Sequence, residues 1–155
     1  MRIADILRNK GSAVATVTDT TTVTAFLAEL AVHNIGAMVV IAPDGAGGRE
    51  RSGSGSGVVG IVSERDVVRQ LHRHGPELLG RPVAEIMTTE MVTCSPEDRI
   101  DDLAALMTDN RVRHIPVLDG GRLVGIVSLG DVVKHRLEEL QTERQQLHAY
   151  ITQGG

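Results

Sequence analysis

Two short stretches of this chain place a serine three residues ahead of an aspartate, each directly after a glycine-led apolar run. They are Gly60-Ile-Val-Ser63-Glu-Arg-Asp66-Val-Val and Gly125-Ile-Val-Ser128-Leu-Gly-Asp131-Val-Val, 65 positions apart. A carboxylate can accept two hydrogen bonds from a cis-diol, the hydroxyl pattern of a ribose. A serine that opens a helix sits beside unpaired backbone N–H groups, where the helix dipole favours an anion. The glycine three residues before each serine permits close backbone approach. The same residue types have a plainer use, since serine is a good N-cap and aspartate suits the first helical turn. Both uses need the serine at a strand-to-helix junction.

The surrounding sequence supplies that junction twice. Ala15-Thr16-Val17-Thr18 aligns with Val92-Thr93-Cys94-Ser95 at an offset of 77 positions, and Met38-Val-Val-Ile41 aligns with Ile115-Pro-Val-Leu118 at the same offset. The fall to 65 is localised in the Gly/Ser-rich stretch from Gly45 to Gly57, whose counterpart is Gly120-Gly121. An internal repeat of this kind is one supersecondary unit used twice.

Each copy reads as β-α-β-β-α. Short strands are expected near 13–17 and 91–94. Amphipathic helices follow, with Val23, Phe26, Leu27 and Leu30 in one copy and Ile100, Leu103, Leu106 and Met107 in the other, all at helical spacing. Thr22 and Asp98 are suited to cap them. Apolar runs at 37–41 and 58–62, then 114–118 and 123–127, read as buried strands. The last helices open at Glu64 and Leu129 with Ser63 and Ser128 as caps. Short helical segments at 3–7 and 83–87 precede the first strands. One copy alone would expose a face of its sheet, so the two repeats are expected to form one folding unit under a pseudo-two-fold. The expected division is 1–73 for the first repeat, with a flexible loop at 45–57, then 74–82 as linker. The second repeat takes 83–135, and 136–155 form a C-terminal helix and tail.

Bulk properties narrow the function classes. The net charge is −4, and the only aromatic residues are Phe26 and Tyr150. The core must be aliphatic, and a flat ligand would be held between aliphatic side chains. Single-stranded nucleic acid, which needs aromatic platforms and a sustained basic surface, is disfavoured. No apolar run reaches membrane-spanning length and no signal peptide is evident. The lone Cys94 suits a reducing cytoplasm.

The two Gly-x-x-Ser-x-x-Asp junctions, with Val112-Arg-His-Ile-Pro-Val-Leu118 and its weaker copy Ile35-Gly-Ala-Met-Val-Val-Ile41, resemble a tandem pair of CBS domains, the family named after cystathionine β-synthase. The resemblance spans about 1–134 and implies an α/β (α+β) CBS-pair architecture that binds adenosyl ligands (AMP, ADP, ATP or S-adenosylmethionine) between the repeats. It implies that Asp66 and Asp131 hold ribose hydroxyls, and Ser63 and Ser128 phosphate or ribose oxygens. It further implies that Thr16, Thr18, Thr93 and Ser95 line the clefts. Arg113 and His114 match positions for basic side chains near phosphates, where the first copy has Gly36 and Ala37. A cleft that Arg113 and His114 reach is therefore the expected nucleotide site, with AMP or ATP as regulatory ligand. The alternative is an interaction protein whose clefts are vestigial.

Other features carry less. Gly55-Ser-Gly57-Val-Val-Gly60 matches a dinucleotide fingerprint but leads into a strand, not a helix, and is rejected. His72 and His74 point apart on a helix and suggest no metal site. Cys94 is more simply a small packing residue than a redox centre. No arrangement of a nucleophile with a base is recognisable, so no catalysis is expected. Leu137, Leu140, Leu147 and Ile151 form an apolar seam broken by Arg144 over 134–151, and are expected to make a homodimer contact.

Overall fold

The computed structural model describes residues 1–11, 14–42 and 57–154. Its element order is α1 (Ile3–Lys10), β1 (Thr16–Thr18), α2 (Val23–His33), β2 (Ala37–Ile41), β3 (Val58–Ser63) and α3 (Glu64–His74) in the first half. The second half has α4 (Ile100–Asn110), β4 (His114–Asp119), β5 (Arg122–Ser128) and α5 (Leu129–Gln153). Two 3-10 helices, Gly75–Gly80 and Val83–Glu85, lie between them. This is a mixed α/β fold of two copies of one unit. The loop expected at 45–57 lies outside the described residues except for Gly57.

The copies match in detail. β2 pairs antiparallel with β3 from Ala37↔Ser63, and β4 with β5 from His114↔Ser128. Both ladders shift register at the same point, between Val40 and Ile41 and between Val117 and Leu118. α2 and α4 each end in a left-handed residue, Asn34 with φ 52° and Arg111 with φ 54°. Each helix buries the expected stripe, Val23, Phe26 and Leu30 in one and Ile100, Leu103 and Met107 in the other. Thr22 caps α2 through its side chain, as expected. Asp98 does not cap α4: Arg99 holds that position, and Asp98 instead accepts from the Ser95 N–H at 2.8 Å.

One expected strand is missing, for a reason visible in two prolines. β1 runs parallel to β2 over three residues, and Asp19 N–H extends the ladder to the Ile41 carbonyl at 3.3 Å. In the second copy only Cys94 pairs, donating to the Pro116 carbonyl at 3.1 Å and accepting from Leu118 N–H at 2.8 Å. The next bonds on either side would be donated by the N–H of residue 116 and of residue 96. Both are proline and have none. The strand expected at 91–94 is thereby reduced to a single bridge.

The segments that precede each first strand pack on the opposite half. Ile3 and Ile6 of α1 are fully buried in the second core with Leu103, Ile115 and Val127, while Val83 and Ile86 sit in the first core with Phe26, Met38 and Val62. Backbone bonds fix the exchange: Ile3 N–H to the Asp98 carbonyl at 2.9 Å, and Val83 N–H to the Thr21 carbonyl at 2.8 Å. The stretch before it also serves the first core, where Leu78 is fully buried. α5 is continuous from Leu129, so the C-terminal helix read at 134–151 is the second repeat's own last helix prolonged.

Gly60 and Gly125 are where the exchanged segments come closest. A Cβ on Gly60 would lie 2.8 Å from the Thr88 carbonyl oxygen and 2.9 Å from Met87 Sδ, whereas one on Gly125 would meet the flexible tip of Leu7. Close approach at these glycines is therefore by the chain itself. Gly60→Ala is expected to cost about 1–3 kcal/mol through overpacking against backbone. Gly125→Ala should cost less, and Gly80→Ala, with open space around it, should leave the chemical-denaturation midpoint unchanged. Equal midpoints for Gly60→Ala and Gly80→Ala would contradict this packing.

Candidate functional site

Both serine–aspartate pairs form capping boxes. Ser63 Oγ accepts from the Asp66 N–H at 3.3 Å, while Asp66 Oδ2 accepts from the Ser63 N–H at 2.8 Å and from its hydroxyl at 3.0 Å. Ser128 Oγ accepts from the Asp131 N–H at 3.2 Å, and Asp131 Oδ2 accepts from the Ser128 N–H at 2.9 Å. The capping use is thus real in both copies. It engages only Oδ2: among the described residues Oδ1 of each aspartate takes no hydrogen bond, which leaves acceptor capacity on two half-buried carboxylates.

A cleft of about 180 Å³ opens between the halves. From the first repeat it takes Ser63 and Asp66 at the start of α3, with Gly36, Ala37 and Ile61 from the adjoining strands. From the second it takes Arg111, Val112, Arg113 and His114, which lead into β4, and Thr88, Glu90, Met91 and Val92 from the exchanged segment. The volume is below the roughly 300–1,000 Å³ common for small-molecule sites, so a ligand would seat one part here and extend along the open side. The apolar lining is aliphatic throughout.

Four residues named from sequence thus meet in one cleft: Ser63, Asp66, Arg113 and His114. Thr16, Thr18, Thr93 and Ser95 do not line it. Thr18 Oγ1 is within 3.2 Å of Thr20 Oγ1 and 3.1 Å of Thr21 Oγ1 in the turn before α2, and Ser95 Oγ accepts from the Glu97 N–H at 3.4 Å in the turn before α4. Ser128 borders a more open groove beside α5 with Val133 and Leu137, and Arg113 and His114 lie between this groove and the cleft, lining both. Asp131 is held by Lys10, whose Nζ lies 2.7 Å from its Oδ2.

The cleft also gathers residues that sequence reasoning missed, Arg65, Arg69 and Arg111. Arg65 and Arg69 are one helical turn apart, spacing that puts them on one face with the Ser63-x-x-Asp66 box. Arg111 carries a weaker signal, as the left-handed end of α4 that matches Asn34.

A CBS-domain family model matches residues 3–73 and 83–138. The chain belongs to the CBS-domain family. It is 37% identical to the mitochondrial CBS domain-containing protein CBSX3 of Arabidopsis thaliana, over 99% of this chain and 72% of that protein. The CBS-domain protein ATU1752 of Agrobacterium tumefaciens superposes with a TM-score of 0.78 at 38% identity, covering 88% of this chain and 99% of that one. The CBS domain pair of protein MJ0100, solved with 5'-methylthioadenosine and S-adenosyl-L-methionine, shares the fold at a TM-score of 0.71 and 22% identity, over 90% and 98% of the two chains.

Within this CBS pair the electrostatics are uneven. Burial would raise the Asp131 carboxyl, but the Lys10 ammonium and the Ser128 hydrogen bonds outweigh it and hold the group below the usual carboxylate range. Burial, with the nearby Lys10 and Arg113, lowers His114 despite the opposing charges of Glu64 and Asp131. Burial, and secondarily Asp98, pushes the Cys94 thiol up to about 12, and its Sγ lies 3.7 Å from the Pro116 carbonyl oxygen inside the second core. Cys94 is thus a packing residue held as the inert thiol. No described helix is long and apolar enough to cross a membrane.

The lowered His114 gives a signed expectation. The fold prefers its neutral form, so this stabilisation is complete above the unfolded value of 6.5 and is lost as pH falls from there toward the lowered folded value. The melting temperature of the wild type should drop between pH 7.5 and 5.5 by more than that of His114→Gln. Parallel curves would exclude His114 as the linked group.

Proposed function

We propose that this CBS pair is a regulatory module that senses an adenine nucleotide, AMP or ATP, and catalyses no reaction. The observation that carries the reading is the meeting of Ser63 and Asp66 from one repeat with Arg113 and His114 from the other in one cleft. Asp66 Oδ1 would accept from a ribose hydroxyl, and the opening turn of α3 and the guanidiniums would face the phosphates. Ile61, Met91, Val92 and Val112 would hold the base between aliphatic side chains.

The adenosyl ligands of MJ0100 are a precedent for the ligand class. The charge of this cleft favours the phosphorylated members. Arg65, Arg69, Arg111 and Arg113 make no ion pair among the described residues, against the carboxylates Glu64, Asp66 and Glu90. Assigning Asp66 to the sugar leaves a surplus of guanidinium for an anion, and nothing comparable for the sulfonium of S-adenosylmethionine. A ligand bridging both halves would shift their packing, which is how such a module would act on a partner or a dimer. The single buried thiol supports a reducing compartment such as the cytoplasm.

The second copy of the chain is the partner we propose for α5. Leu137, Leu140, Leu147 and Ile151 are each half-exposed or more, so the seam does not fold back on its own repeat. Positions 137, 140, 144, 147 and 151 alternate by three and four residues, which suits a matching helix although Arg144 interrupts the apolar seam, and the flanks carry both signs, Arg136 with Glu138, Glu139 and Glu143.

Calorimetric titration with AMP, ATP, S-adenosylmethionine and NADH should show binding of AMP or ATP, weakened at least about tenfold by Asp66→Ala, as loss of a charged acceptor implies. No binding by any of the four would overturn the nucleotide reading and leave the vestigial-cleft alternative. Sedimentation velocity should give a dimer that Leu137→Glu with Leu140→Glu converts to monomer. A wild-type monomer would remove the dimer proposal.

A further inference from the structure

The two crevices of the pair also differ in what meets the aspartate. In the first half Ile61 exchanges backbone hydrogen bonds with Thr88 of the exchanged segment, at 3.0 and 2.8 Å. At the equivalent place in the second half the Ile126 carbonyl accepts instead from Lys10 Nζ, at 2.9 Å. The same ammonium lies 2.7 Å from Asp131 Oδ2. Lys10 is the last residue of α1, and the chain turns away directly after it through Gly11, with φ 89°. Among the described residues Asp66 has no such cation, and its partners are the backbone and hydroxyl of Ser63.

We propose that Lys10 is a built-in occupant of the second crevice, so that the chain takes one nucleotide, at Asp66, and not two. The inference rests on the nucleotide reading above and adds to it the stoichiometry and the residue that sets it. The reasoning is a competition between donors. A ribose hydroxyl is neutral, and its bond to a carboxylate is weaker than the double charge of an ammonium on the same group. The ammonium also bridges to the Ile126 carbonyl, so displacing it would break two bonds. Lys10 is supplied by the opposite half of the molecule and is tethered, which gives it a local concentration that a dissolved ligand lacks. The side chains of Lys10 and Asp131 keep 38% and 23% of their surface exposed, so the contact can be removed without opening the core.

Titration calorimetry of the full chain with AMP tests this. The wild type should bind one AMP per chain, Lys10→Met and Lys10→Gln two, and Lys10→Arg one, because arginine restores the cation. In Lys10→Met, adding Asp66→Asn should abolish one site and leave the other. Two sites in the wild type, or one in both Lys10→Met and Lys10→Gln, would overturn the role of Lys10 while the nucleotide reading stands. No AMP bound by the wild type or by either Lys10 variant would overturn the nucleotide reading itself, and this inference with it.

Discussion

The exchange of lead segments is the constraint from which the rest of this molecule follows. Burying Ile3 and Ile6 in the second core contributes on the order of 1.5–3 kcal/mol each. The pair's contribution is a large share of the roughly 5–15 kcal/mol that holds a typical domain together. Val83 and Ile86 do the same for the first core. Neither half is complete without a piece of the other. The seam between them is therefore a fixed internal boundary, and Gly60 and Gly125 are small because the exchanged segments press on them there.

A cleft at such a seam draws its walls from both repeats. The capping box at Ser63 anchors Asp66 with one oxygen and leaves the other available, so helix capping and the proposed ligand contact would use the same side chain without conflict. The copies have diverged around this common frame. Arg111, Arg113 and His114 line the cleft beside the Ser63 box, Arg113 and His114 also border the groove at Ser128, and only the second aspartate carries a lysine. Duplication supplied two sites of one shape, and a few substitutions made them unequal.

Much of this was legible in the residues. The repeat, the buried stripes of α2 and α4, the hairpin strands and the caps at Thr22, Ser63 and Ser128 all follow from short-range spacing. The missing strand is legible too, in Pro96 and Pro116, whose lack of an N–H outweighs the β-branched pattern beside them. The exchange was not. Periodicity shows that 3–7 and 83–87 have an apolar face, but not which core receives it. The cleft residues Arg65, Arg69 and Arg111, and the reach of Lys10 to Asp131, depend on that same long-range choice. Thr18 and Ser95 lie outside the cleft for a local reason: their hydroxyls bond within the turns before α2 and α4.

The central claim is that a nucleotide sits in the seam at Asp66. A crystal structure of the chain grown with AMP tests it most directly. The account predicts the ribose hydroxyls on the Asp66 carboxylate, the phosphate toward Arg113 and His114, and Lys10 still on Asp131. AMP bound away from the seam, or on Asp131 with the Asp66 cleft empty, would contradict it.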